Sequence, residues 1–257
     1  MRYLVLSDIH ANLEALEACL GHAAGQGYDA TIVLGDLVGY GADPNSVIDR
    51  VHALAPVAIV RGNHDKVACG LDQAEGFNAV ARNAARWTLE VLTPEHRAWL
   101  AALPQGPQLV DATIEICHGS PIDEDAYIFD ELDALRALKA SERPLCFYGH
   151  THYPLSFELA NGTFGSVAAA VPEPDSAARS GVSRTEITLR AGSKYLINPG
   201  AVGQPRDGDP RAAYAIVDEA QRRVDLFRVL YPLEEAQAKV MKAGLPDVLA
   251  HRLALGR

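Results

Sequence analysis

Short apolar runs rich in Val, Ile and Leu recur through about the first 150 positions, each followed by a stretch whose apolar residues return every three or four places. That alternation is the habit of βαβ units. Arg2 to Ile9 predicts a first strand. Asn12 has N-cap chemistry, Leu13, Leu16, Leu20 and Ala23 follow at helical spacing, and Gly25 and Gly27 punctuate the end of a first helix. Ala30 to Leu37 predicts a second strand. Pro44, suited to a first helical turn, opens a helix to about Leu54, and Val57 to Val60 makes a third strand. Phe77 to Leu92 and Pro94 to Leu103 are helix-like, with Val80, Ala84, Trp87 and Val91 on one face, and predict a helical cap over about residues 76–104.

Beyond Gln108 the pattern turns strand-rich. Strands are expected at Leu109 to Cys117, Pro144 to Tyr148, Leu155 to Leu159, Phe164 to Val171, Thr185 to Leu189, Lys194 to Ile197, Ala212 to Val217 and Arg222 to Arg228, with a helix near Glu131 to Lys139. Asn161-Gly162 signals a hairpin. Pro172 to Arg184, rich in Pro, Ser, Ala and Gly, predicts a mobile surface loop, and Pro232 to Ala243 and Pro246 to Leu255 predict closing helices. Residues 1–257 are expected to form a single domain.

Composition narrows the function classes. Apolar residues at 48% and charged residues at 22% are ordinary globular usage, which excludes disordered and fibrous classes. A net charge of −10 with no Lys/Arg cluster argues against a nucleic-acid polymer as partner. The four scattered cysteines suit buried thiols in a reducing compartment. No run approaches about 18 apolar residues, and the chain opens directly on a strand-like segment, so no membrane span or secretory signal is expected and a cytoplasmic setting is.

The chemistry lies at strand ends. Asp8-Ile9-His10, Gly35-Asp36, Gly62-Asn63-His64-Asp65, His118-Gly119 and Gly149-His150-Thr151-His152 each end an apolar run, where α/β sheets gather their ligands. Carboxylates, an amide and imidazoles form an O/N donor set suited to Mn, Fe or Zn and too rich for one tetrahedral ion. Two ions are implied. His22, His52, His96 and His251 fall inside helix-like stretches and read as packing or solvent-facing groups. Asp65 reads equally as a carboxylate orienting an imidazole or as a loop cap. Asp43, Asp123, Glu124, Asp125, Asp207 and Asp209 read as solvated loop acids.

These motifs, in this order, resemble the signature of the calcineurin-like metallophosphoesterases, and Asn198-Pro199-Gly200 with residues 201–206 resembles a segment of their small bacterial and archaeal phosphodiesterase and dinucleoside polyphosphatase branch. The resemblance implies a four-layer α/β/β/α sandwich of two mixed sheets flanked by helices. It implies two divalent transition-metal ions (Mn, Fe, Zn or Ni), one held by Asp8, His10 and His152, the other by Asn63, His118 and His150, with Asp36 bridging them. It further implies hydroxide attack on phosphorus, with His64 protonating the departing oxygen. Asn63, His64 and Arg206 are expected to touch substrate, and Arg61 is a further candidate phosphate contact. The expected substrate is a small phosphodiester or nucleotide polyphosphate. A non-catalytic metal- or nucleotide-binding interaction module on the same fold is the alternative, and self-association stays open.

Overall fold

The computed structural model describes residues 1–160, 163–166 and 181–257. The chain runs β1 (Arg2–Leu6), α1 (Leu13–Gln26), β2 (Ala30–Val33), α2 (Pro44–Leu54), β3 (Ala58–Ile59), α3 (Asn63–Cys69), α4 (Ala79–Val91), α5 (Pro94–Ala101), β4 (Gln108–Leu109), β5 (Ile114–Ile116), α6 (Glu131–Ala140) and β6 (Leu145–Phe147). It continues through β7 (Pro154–Ala160), β8 (Thr163–Ser166), β9 (Ser183–Thr188), β10 (Ser193–Pro199), β11 (Ala212–Asp218), β12 (Arg223–Val229), α7 (Leu233–Lys242) and α8 (Asp247–Leu255).

Two six-stranded mixed sheets result, ordered β3-β2-β1-β11-β12-β9 and β4-β5-β6-β10-β7-β8. Period-two alternation explains why they stack. Tyr3 and Val5 of β1 join Ile32, Ala215 and Val217 in a cluster that meets Ile114, Ile116, Leu145, Phe147, Tyr195 and Ile197 of the second sheet. The intervening Leu4 and Leu6 point the other way, onto Leu16 and Cys19 of α1 and Val47 and Val51 of α2. On the far face of the second sheet, Cys146, Tyr148 and Leu196 pack against Ala134, Ala137 and Leu138 of α6. The layers therefore read helix, sheet, sheet, helix, as the expected architecture requires. Strands buried on both faces read as unbroken apolar runs.

β1, β2 and β3 are mutually parallel, and so are β5, β6 and β10. Three carboxyl ends from each sheet thus converge on one edge of the sandwich.

Several boundaries differ from the sequence expectation, mostly at that edge. β1 stops at Leu6 and β2 at Val33 although Ile9, Leu34 and Leu37 remain fully buried. Burial keeps these residues apolar while the backbone turns to aim its polar neighbours. The run Leu109 to Cys117 divides into β4 and β5 around a turn in which Asp111 accepts the amides of Thr113 and Ile114. Asn63–Cys69 is a helix, whereas the sequence marked only a motif there. β9 begins at Ser183, so Ser183 and Arg184 belong to a strand and not to the insert. Asn161-Gly162 and residues 172–180 of the insert lie outside the described residues; Ala160 and Thr163, either side of the former, pair antiparallel. Trp87 packs in a cluster with Tyr40, Val240 and Leu249, and Trp99 packs on the main core cluster and edge-on against His52 of α2. Among the described residues no helix is long and apolar enough to cross a membrane.

Candidate metal centre

Five of the motif residues have left-handed backbone: Asp8 (φ 52°), His10 (49°), Asp36 (50°), His150 (67°) and His152 (62°). Each such residue costs about 1–2 kcal/mol without a Cβ-free backbone to relieve it. Backbone bonds between the loops offset that cost: Asp8 N donates to Gly35 O (3.1 Å), His10 N to Asp36 O (2.9 Å) and Gly203 N to Asp8 O (2.9 Å). Glycine is required where loops meet most closely. A Cβ on Gly62 would lie 2.0 Å from Asp36 Oδ1, and one on Gly149 would lie 2.2 Å from Ser7 Oγ.

Four imidazoles are fixed in the same way. His10 Nδ1 donates to Val38 O (3.1 Å), His118 Nδ1 to Leu34 O (2.8 Å), His150 Nε2 to Asp125 O (3.1 Å) and His152 Nδ1 to Gln204 O (2.6 Å). A carbonyl partner fixes the tautomer and turns the other ring nitrogen, with its lone pair, toward the interior. His10 Nε2 and His152 Nε2 consequently lie 3.1 Å apart, two acceptors face to face.

The carboxylates complete the arrangement. Asp36 Oδ1 accepts the His64 amide at 2.8 Å, while its buried Oδ2 has no hydrogen-bond partner and lies 3.6 Å from His10 Nε2 and 3.4 Å from His118 Nε2. Asp8 accepts from Ser7 Oγ (2.6 Å) and the His150 amide (3.1 Å), and lies 3.5 Å from His152 Nε2. Asn63 Oδ1 is 3.3 Å from His118 Nε2. Two groups of side chains could therefore each hold an ion, Asp8, His10, Asp36 and His152 in one and Asp36, His118 and His150 in the other. They share Asp36. The orphaned Oδ2, the opposed imidazole nitrogens and the hard-to-borderline donors fit divalent cations.

Electrostatics favour the neutral ligand form at three of the four imidazoles and the carboxylate form at Asp36. Burial holds His10 and His152 well below the usual imidazole range and His150 down to about 3, so these rings are neutral. Burial also pushes Asp8 up to about 6. For Asp36 burial is outweighed by His118, His64 and His10, which hold its carboxyl well below the usual range. Burial opposes charge on His118, yet Asp36 beside it lifts that ring to about 10. Buried carboxylates here call for compensating positive charge.

His64 joins the cluster without joining either ligand group. Its ring packs on Tyr40 (4.3 Å), Phe77 (4.5 Å) and, edge-on, His10 (4.9 Å), its Nδ1 has no hydrogen-bond partner, and burial lowers its pKa to about 4. Arg206 reaches the same mouth, its Nη2 3.4 Å from Tyr40 Oη and its guanidinium 5.7 Å from the Tyr40 ring.

Arg61, the further candidate phosphate contact, is engaged by a carboxylate. Its guanidinium is bidentate on Glu124 (3.0 and 3.1 Å), and Lys66 Nζ binds Glu124 (3.1 Å) and Asp125 (2.7 Å). Glu124 is thus a partnered group, not a solvated acid, and Asp43, Asp207 and Asp209 likewise pair with Lys239, Arg228 and Arg211. Asp65 is a loop cap: its carboxylate accepts the amides of Leu37, Val38 and Gly62. His22, His96 and His52 contact Tyr214, Asn45 with Asp49, and Trp99, away from the centre.

Sequence reasoning missed Tyr40 and Tyr127 and offered Phe77 only as the start of the helical cap. Tyr127 stacks on His150 at 3.8 Å. With Asn63, Asp72, Gly76, Phe77, Asp125 and His150 it lines a cleft of about 210 Å³ beside the centre. A single aromatic in a polar loop carries no periodic signal.

Known proteins resemble the chain over nearly its whole length. Residues 1–222 match the family model described as the calcineurin-like phosphoesterase superfamily domain. The chain is 34% identical to an uncharacterized protein, MJ0912, of Methanocaldococcus jannaschii, over 98% of this chain and 97% of that one. It resembles the crystal structure of a metallophosphoesterase from Sphaerobacter thermophilus at 40% identity and a TM-score of 0.83, covering 100% and 99% of the two chains. A hypothetical protein, PH1004, from Pyrococcus horikoshii OT3 shares the fold at 22% identity and a TM-score of 0.77, over 100% and 98%. Motif order, the convergence of strand ends and these likenesses lead to one conclusion, that the chain belongs to the calcineurin-like phosphoesterase superfamily.

Proposed function

We propose that the protein hydrolyses a small phosphodiester or nucleotide polyphosphate at a centre of two divalent transition-metal ions. Asp8, His10 and His152 would hold one ion, Asn63, His118 and His150 the other, and Asp36 both. The observation that carries this reading is the buried, unpartnered Oδ2 of Asp36, set between His10 and His118, each fixed by a backbone carbonyl. Such a pair of ions supplies Lewis acidity for phosphoryl oxygens and lowers the pKa of a water molecule.

The chain's own residues supply the rest. Asp36 offers two oxygens, one steadied by the His64 amide, and Asn63 adds a neutral oxygen that limits accumulated negative charge. Arg206, the guanidinium at the mouth, offers N–H donors to a phosphoryl oxygen. His64 stands beside the ligands without a carbonyl key; burial keeps its ring neutral, and a phosphoryl anion bound beside it would raise its pKa so that it carries the proton passed to the departing oxygen. Tyr40 and Phe77 pack its ring and exclude water from it.

Titration of metal-stripped protein with Mn, Fe, Zn or Ni, followed by elemental analysis, should give two ions per chain. The loaded protein should turn over members of a panel of phosphomonoesters, phosphodiesters and dinucleoside polyphosphates. One ion or none per chain overturns the dinuclear reading; two ions without turnover of any ester favours the interaction module.

A further inference from the structure

We infer that the cleft between Phe77 and Tyr127 is a subsite for a nucleobase, so that the phosphate presented to the centre is a nucleotide's. This inference rests on the proposed phosphoesterase reading.

The cleft opens directly off the centre, since Asn63 and His150 belong both to its lining and to the candidate ligands. Its two aromatic members each lean on a group of the centre, Phe77 on His64 at 4.5 Å and Tyr127 on His150 at 3.8 Å. A substituent leaving phosphorus on this side therefore enters between aromatic side chains. The aromatic surface continues outward: Phe129 lies parallel to Tyr127 (8°, centroids 5.0 Å apart). Tyr127 is 44% and Phe129 64% exposed. Exposed, stacked aromatic surface beside a polar centre marks a place where a ligand is received.

The polar lining selects among flat ligands. The charged side chains in the cleft are the carboxylates of Asp72 and of Asp125, the latter already paired with Lys66. Asp72 disfavours a further phosphate there and suits the N–H donors on the edge of a base. A flat, neutral ring bearing N–H groups and tethered to one phosphate meets both conditions. Stacking of this kind tolerates any base, since each has a π-face.

The test compares manganese-loaded protein acting on esters with the same type of leaving alcohol: adenosine 5′-phosphate and its methyl ester against glycerol 3-phosphate and its methyl ester. We expect kcat/KM to favour the adenosine esters at least tenfold, and Tyr127→Leu to bring the ratio close to one. Damage to the centre slows both substrates alike, so the ratio isolates the contact with the base. Phe129→Ala, at an exposed position, provides a second variant should Tyr127→Leu fail to fold, with a smaller fall in the same ratio. No preference in the wild type, or one that neither variant changes, overturns the subsite. Calorimetric binding of adenosine 5′-phosphate against glycerol 3-phosphate repeats the comparison without turnover. A failure of hydrolysis with tenfold tighter adenosine 5′-phosphate binding rejects the phosphoesterase reading and keeps the subsite; equal binding rejects the subsite.

Discussion

In the proposed centre, the half built from Asp8, His10 and His152 and the half built from Asn63, His118 and His150 share Asp36 but differ in what stands behind them. The first is backed by main chain. Its imidazoles are fixed by Val38 O and Gln204 O, and the loops carrying them are bonded to one another through Val202 N to Ser7 O (2.9 Å) and Gly203 N to Asp8 O (2.9 Å). The second is backed in part by charged side chains. His150 is fixed by Asp125 O, in a loop tied down by Glu124 and Asp125 on Arg61 and Lys66, the residues that flank Asn63 and His64. That half also opens on the cleft. A backbone-fixed half next to one fixed by side chains predicts a tightly held ion beside a more exchangeable one.

The most drastic way to break the comparison is to remove what the halves share. Asp36→Ala should weaken both ions by at least about a hundredfold and reduce turnover to background, since it removes a ligand from each. Metal titration of the variant is the readout. Loss of one ion alone would show that the halves are independent and Asp36 is no bridge.

Next in size is a change that should leave both halves intact. His64→Ala should keep two ions per chain and slow alkyl esters by about 10²–10⁴, with much less effect on nitrophenyl esters, whose leaving group needs no proton. Equal slowing of both classes would argue against a role as acid.

The ligand positions of both halves were legible in the sequence, for a physical reason. Asp8, His10, Asp36, His118, His150 and His152 each follow an apolar strand, and parallel strands bring their carboxyl ends together. The strands themselves were read too long. Ile9 and Leu37 are as buried as any strand residue, so an apolar pattern cannot reveal that the chain has already entered a left-handed turn. The supports of the second half were illegible. Glu124 and Asp125 look like loop acids until the fold brings them to Arg61 and Lys66, about 60 residues away in sequence, and Tyr127 carries no sign that its ring will meet His150. Arg61, offered as a phosphate contact on type alone, is occupied by Glu124 for the same reason.

The side-chain clamp can be tested separately. Glu124→Gln should weaken the second ion about 10–100-fold, the usual effect of losing a group that orients a ligand, while the first ion binds as before. Stepwise titration followed by the absorption spectrum of a cobalt-substituted sample reads the two affinities separately. An equal loss at both positions would mean the clamp supports the whole fold and not one half.

The smallest effect concerns proton linkage at the same clamp. Burial raises the pKa of Glu124, but its hydrogen bonds to Arg61 and Lys66 outweigh that and hold the carboxyl below its ordinary 4.5. A group whose folded pKa lies below its unfolded one stabilises the fold fully above the unfolded value, and the contribution fades as pH falls through the folded pKa. In metal-free protein near neutral pH, losing this charge-assisted pairing should cost about 1–2 kcal/mol, or roughly 3–6 °C in Tm, for a chain of this size. The difference in Tm between wild type and Glu124→Gln should then close steadily as pH is lowered below about 4.5. A gap that persists undiminished to pH 3 would show that the clamp works by shape and not by charge. The second half would then be fixed as rigidly as the first, and the expected inequality between the two ions would lose its cause.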